Sequence, residues 1–197
     1  MRVPIEQFCR DYAQRLHEAF NQGPIEAVGE LASALLSALQ NRNLVFLAGN
    51  GGSAGNAIHL ANDFLYGIGK DSGSRLRVEA LPANASIITC LANDLSYDEV
   101  FAEQIRIKGE PGDVLVVLSG SGNSPNVVRA LEAANLLGMK TFAVLGYSGG
   151  RCREVAKVSI HFAVDDMQIA EDLQLMVGHI CVQWVRTQAK SRVEGGA

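Results

Sequence analysis

The stretch Leu44-Val45-Phe46-Leu47-Ala48-Gly49-Asn50-Gly51-Gly52-Ser53 decides the fold. An unbroken apolar run of this length reads as a strand buried on both faces, and such strands belong to parallel sheets. The glycines after it let the backbone turn tightly. A helix opening there presents free N–H groups and a partial positive charge, the usual seat for phosphate. The same order returns in Val114-Leu115-Val116-Val117-Leu118 followed by Ser119-Gly120-Ser121-Gly122-Asn123-Ser124. Two such turns in one domain, the second full of hydroxyls, point to a small polyhydroxylated phosphate ester, a sugar phosphate.

Working outward, apolar residues at three- and four-residue steps predict a helix over 4–21 and a second over 24–40, opened by Pro24. This hairpin has broad apolar faces, suited to packing on its own sheet or on a partner subunit. After the strand at 44–48 come a helix over 53–67, a short strand at 78–81, a helix over 86–93 with Ser86 as N-cap, and a helix over 97–107. The strand at 114–118 feeds a helix from Pro125 to Leu137, ended by Gly138. Then follow a strand at 141–145, a short helix at 152–157, a strand at 158–164, a helix over 168–189 and a polar tail, 191–197, expected to be disordered. Alternating strands and helices make an α/β fold with a doubly wound parallel sheet. Ligands of such sheets bind beyond the strand carboxyl ends, near a switch point, and both glycine turns leave carboxyl ends.

Composition bounds the function. The 197 residues suit one domain, 1–190, with a sizeable core. The net charge of −4 and scattered basic residues leave no nucleic-acid footprint. No apolar run reaches membrane-spanning length, and the charged N-terminus does not read as a signal peptide. The four cysteines include no C-x-x-C pair and read as reduced thiols of a cytoplasmic protein, with Cys90 and Cys181 in the core.

Chemistry gathers on two helices. His59 and Asp63 are four apart and share a helix face; Glu171 and His179 lie on the last helix. Such His–carboxylate pairs suit a divalent metal such as zinc, or general acid–base work. They also fit blander roles: a surface pair for His59 and Asp63, a satisfied core histidine for His179. Glu171 and His179 are about 12 Å apart along an ideal helix, so they share an ion only if both lean inward. Gly49-x-Gly51-x-x-Ala54 also matches the dinucleotide fingerprint, which leaves the serine-rich turn unexplained. No P-loop motif occurs.

Together these motifs, with Ala92-Asn93-Asp94, Gly112-Asp113 and Ile169 to His179, resemble the sugar isomerase (SIS) domain family in its phosphoheptose isomerase branch. The resemblance covers about Ile5 to Gln188. It implies a flavodoxin-like three-layer sandwich behind an N-terminal hairpin at 1–40, and isomerisation of sedoheptulose 7-phosphate through an enediol for heptose precursors of surface glycans. It implies a homotetramer with active sites at subunit interfaces, often with one zinc ion per site. Carried onto this chain, phosphate falls to Ser119, Gly120, Ser121 and Ser124. The sugar falls to Asn50, Gly51, Gly52, Ser53, Asn93, Asp94 and Glu171. The metal falls to His59, Asp63, Glu171 and His179, and proton transfer to Asp63, Glu171 and His179. Three positions depart from the pattern: Asp63 for the usual glutamate, Glu171 for glutamine, and Gly67 for a basic residue, which Lys70 or Arg75 would replace. The extra carboxylate suggests that Asp63 and Glu171 share the ligand and base roles. The alternatives within the family are a non-catalytic sugar-phosphate binder or sensor and a replication initiator-associating protein.

Overall fold

The apolar runs become the central strands of a five-stranded, all-parallel sheet in the order β2-β1-β3-β4-β5. The computed structural model describes residues 3–70 and 73–194. In chain order the elements are α1 (Ile5–Asn21), α2 (Ile25–Asn41), β1 (Leu44–Ala48), α3 (Gly51–Asn62), β2 (Arg77–Ala80), α4 (Ala85–Asp94) and α5 (Ala102–Lys108). Then come β3 (Val114–Ser119), α6 (Pro125–Leu136), β4 (Lys140–Leu145), α7 (Gly150–Val155), β5 (Val158–His161) and α8 (Met167–Glu194).

Side-chain alternation along each strand feeds two cores. Val45 and Leu47 of β1 and Val114 and Val116 of β3 face α2, α3 and α8. Phe46 and Ala48, with Leu115 and Val117, face α5 and α6. The result is the expected three-layer, flavodoxin-like sandwich, whose switch point lies between β1 and β3. At the opposite, amino end of these strands, buried Asp113 accepts the Leu44 N–H (2.8 Å) and the Glu110 N–H (3.0 Å) and fixes the register. α1 rests on α8 with none of its residues buried, though Tyr12, Leu16, Ala19 and Phe20 cover the core edge.

Several boundaries differ from expectation for identifiable reasons. α3 begins at Gly51 rather than residue 53, and Gly51 joins the strand to it through a left-handed φ of +54°, which glycine takes without steric cost. Its expected end becomes a π-helical turn, Asp63–Gly67. Asn84, not Ser86, caps α4, its Oδ1 accepting the N–H groups of Ser86 and Ile87. The helix expected over 97–107 splits into a 3-10 turn, Tyr97–Glu99, and α5. The Gln104 side chain takes the Val100 carbonyl (2.8 Å) that a continuous helix would offer to a backbone N–H. The last strand stops at His161, because the Val164 N–H folds back onto the Phe162 carbonyl (2.8 Å). α8 continues past Ala189 to Glu194, so the first four positions of the expected disordered tail are helical and its end, 195–197, lies outside the described residues. Cys181 is buried as expected, but Cys90 is exposed, on the outer side of a helix that buries no residue.

Candidate active site

The two glycine turns leave adjacent strands and face each other across the switch point. In the first, the Asn50 side-chain amide exchanges two hydrogen bonds with Asn126 at the start of α6 (2.8 and 2.9 Å). Asn50 Oδ1 also accepts the Tyr97 hydroxyl (3.1 Å), which draws the segment after Asp94 onto the turn. Ser53 is buried, and its hydroxyl accepts from Gln174 of α8 (3.0 Å). Gln174 in turn accepts from Asn56, which also bonds the Glu171 carbonyl. Gly52 lies directly under the Glu171 carboxylate: a Cβ there would come within 2.3 Å of Oε1.

The second turn holds itself. The Ser119 hydroxyl accepts the Gly122 N–H (3.0 Å), and the Ser121 hydroxyl accepts the Asn123 N–H (3.3 Å). Gly122 sits at φ +68° with no room for a Cβ, which would lie 2.0 Å from the Gly149 carbonyl oxygen. Ser124 opens α6 without a side-chain capping bond, and Pro125 follows at the first helical position. The N–H groups of Ser121, Ser124 and Asn126 have no protein acceptor among the described residues. The half-buried hydroxyls of Ser121 and Ser124 beside unspent N–H groups at a helix start are suited to an anion.

α8 is the spine that joins these parts. Asp166 caps it, accepting the Gln168 and Ile169 N–H groups, and pairs with Arg15 of α1 at 2.6 Å. The Ile169 N–H first, then Arg15, with a smaller part from the Gln168 N–H, hold the Asp166 carboxyl below its ordinary value. Met167 packs its sulfur against Gly120. One turn on, Glu171 covers Gly52. Its carboxylate has no hydrogen-bond or ion-pair partner among the described residues. Two turns further, His179 meets His59 and Asp63.

That meeting has the geometry of a metal site. The two Nε2 atoms are 3.0 Å apart, and Asp63 Oδ2 is 3.5 Å from His59 and 3.4 Å from His179. The rings are edge-to-face, 81° apart. Tetrahedral zinc with bonds near 2.0–2.1 Å spaces its ligand atoms by about 3.3 Å, so the triangle fits such an ion and leaves a fourth position open. The side chains are half-exposed, His59 50% and His179 43%. The π turn beginning at Asp63 is the local device here, since a widened turn breaks the helical phase just where the ligand sits.

The structure therefore joins three of the four expected metal residues, and Glu171 stands apart from them, at the first glycine turn. Asn93 and Asp94 are exposed at the end of α4, bonded to each other (2.8 Å). The Asp94 carboxylate, through its hydrogen bond from the thiol and its charge, also holds the Cys90 thiol above its ordinary value. Lys70 and Arg75 lie beyond the π turn, around a shallow cavity with Leu65 and Tyr66. Asn126 and Gln174 are the residues that motif reading passes over. Gln174 had a signal, being a polar residue on the helix face of Ile169, Leu173 and Val177; Asn126 had none.

The SIS domain family matches residues 7–146. The phosphoheptose isomerase of Chlorobaculum parvum is 37% identical over 181 residues, 89% of this chain and 85% of that protein. The solved phosphoheptose isomerase of Francisella tularensis superposes with a TM-score of 0.86 at 26% identity, over 93% of this chain and 96% of that one. The GmhA phosphoheptose isomerase of Neisseria gonorrhoeae superposes at 0.81 with 30% identity, over 92% and 98%.

Proposed function

Since the chain belongs to the SIS domain family, in its phosphoheptose isomerase branch, we propose that it converts sedoheptulose 7-phosphate to D-glycero-D-manno-heptose 7-phosphate, a precursor for surface glycans. It is an aldose–ketose isomerase of a heptose phosphate. The observation that carries the residue assignment is the convergence of His59, Asp63 and His179 on one point.

Isomerisation moves a proton between C1 and C2 through an enediol, which needs a base, an acid and support for a developing oxyanion. The Ser121 and Ser124 hydroxyls and the N–H groups opening α6 hold the phosphate, while Ser119 shapes the turn from inside. Asn93, Asp94 and Glu171 meet the sugar hydroxyls. Asn50 and Ser53, committed to Asn126 and Gln174, hold the first turn in place beneath them. Asp63 turns Oδ2 to the imidazoles; its Oδ1, with only a long bond from Asn62 (3.4 Å), takes the proton from C1. His179 donates from Nε2 at the ketose oxygen when that nitrogen is not a metal ligand. Two imidazoles and a carboxylate suit zinc, which His59, Asp63 and His179 would hold and which, when bound, supplies Lewis acidity to the carbonyl.

Glu171 and His179 are about 12 Å apart along α8, too far for C1 and C2 to rest on both within one chain. A homotetramer with sites at subunit interfaces resolves this, one copy's histidines closing on another's crevice. α1, which exposes Ile5 and Phe8 and buries nothing, supports such assembly, with the hairpin of the single 1–190 domain as the contact. Four free thiols support a reducing, cytoplasmic setting. No helix among the described residues is long and apolar enough to cross a membrane.

The test is turnover of sedoheptulose 7-phosphate by purified protein, metal-stripped and then zinc-restored. Activity returning with zinc, and a loss of roughly a hundredfold or more in His179→Ala, is expected. Undiminished activity without metal removes the metal role. Sugar-phosphate binding without turnover in either state converts the protein to a binder.

A further inference from the structure

The two helix starts at the crevice are not equivalent, and the difference bears on which phosphate esters enter. α3 opens at Gly51 and Gly52, a glycine start that by itself would attract an anion. The protein's own anion is already there. The Glu171 carboxylate lies so close over Gly52 that Oε1, Oε2 and Cδ would all stand within 2.5 Å of a Cβ at that position. It is half-buried and has no hydrogen-bond or ion-pair partner among the described residues. The α6 start, one strand away, carries no acidic side chain in its first turn.

α8 sets the spacing between the two. Met167 touches Gly120 in the serine turn, and Glu171 follows one helical turn later, about 6 Å along the axis. A sugar whose phosphate sits at the serine turn therefore extends its far end toward Glu171. Hydroxyls at that end can donate to an unpartnered carboxylate. A second phosphate at that end would meet a fixed negative charge over the one helix start able to take it, and a like-charge contact of this kind rejects a competitor strongly.

We propose that Glu171 is a specificity-determining residue that restricts the site to monophosphates and excludes sugars bearing a second phosphate at the reacting end. The inference rests on the functional reading above, specifically on phosphate at the serine turn. It assigns the first glycine turn the opposite role to the second: one receives an anion, the other refuses it.

The matched pair for the test is sedoheptulose 7-phosphate and sedoheptulose 1,7-bisphosphate, which differ by one phosphate at C1. Their dissociation constants are measured by calorimetry on the assembled protein as isolated, wild type and Glu171→Gln, with Ser124→Ala as the anchor control. Binding is read without turnover. The expected result is that wild type binds the bisphosphate at least tenfold more weakly than the monophosphate. In Glu171→Gln, which keeps the shape and removes the charge, that ratio should fall to threefold or less. Raising salt should narrow the wild-type ratio in the same direction, because screening weakens charge repulsion and leaves a steric block untouched. Equal binding of the two esters by wild type overturns the inference, and so does a ratio that persists in Glu171→Gln. If Ser124→Ala leaves both affinities unaltered, the serine turn is not the phosphate seat, and the functional reading falls with the inference.

Discussion

The turns at Gly49–Ser53 and Ser119–Ser124 leave neighbouring strands of one sheet, each into a helix start, yet the protein has treated them in opposite ways. The first is filled by the chain itself: Asn126 and Tyr97 hold Asn50, Gln174 holds Ser53, and Glu171 covers Gly52. The second spends two of its serines on its own backbone and leaves Ser124 and several N–H groups open. A glycine turn thus reports what the backbone can do. Whether a ligand uses it depends on the side chains that other elements bring across the crevice.

The strongest way to break this contrast is to deform the open turn. Gly122→Ala places a methyl 2.0 Å from the Gly149 carbonyl at a backbone angle that side chains resist. We expect loss of phosphate-ester binding and a stability cost of about 1–3 kcal/mol or more, read by calorimetry and thermal melting. A paired comparison sharpens it. Ser53→Ala strands the Gln174 amide in a buried site and should cost about 1–3 kcal/mol. Ser124→Ala removes a hydroxyl with no capping bond, so its melting temperature should hold while phosphate-ester affinity drops about tenfold. The reverse pattern would mean that the two turns had been assigned the wrong way round.

The smallest effect concerns the helix that spans both turns. Asp166→Ala should cost about 0.5–2 kcal/mol by uncapping α8. Because the folded-state carboxyl is held low, its contribution is complete above the ordinary carboxylate range and is lost as pH falls through the folded value. The wild-type advantage over the variant should therefore be constant near neutrality and shrink on acidification. An advantage that grew toward acid would place the stabilisation elsewhere.

Local rules made much of this chain legible. Apolar runs such as Val114–Leu118 need a buried parallel sheet, and the glycine turns after them locate the switch point and the crevice. His59 and Asp63 share a helix face because four residues make one turn, and they do converge. These are properties of short segments, written in spacing and composition.

What only the tertiary structure decided is which distant segments meet. Nothing in the run from Ile169 to His179 says that Glu171 lands on Gly52 while His179, two turns later, lands on His59; that follows from how α8 lies across α3. The paired amides of Asn50 and Asn126 join residues 76 apart, and the π turn at Asp63 has no sequence signature. Cys90 sits among apolar residues in sequence yet outside in space, because α4 buries none of its residues. Periodicity ranks the faces of a helix, but packing against the rest of the chain chooses what each face touches. That choice separates an anion seat from a turn the protein fills with its own charge.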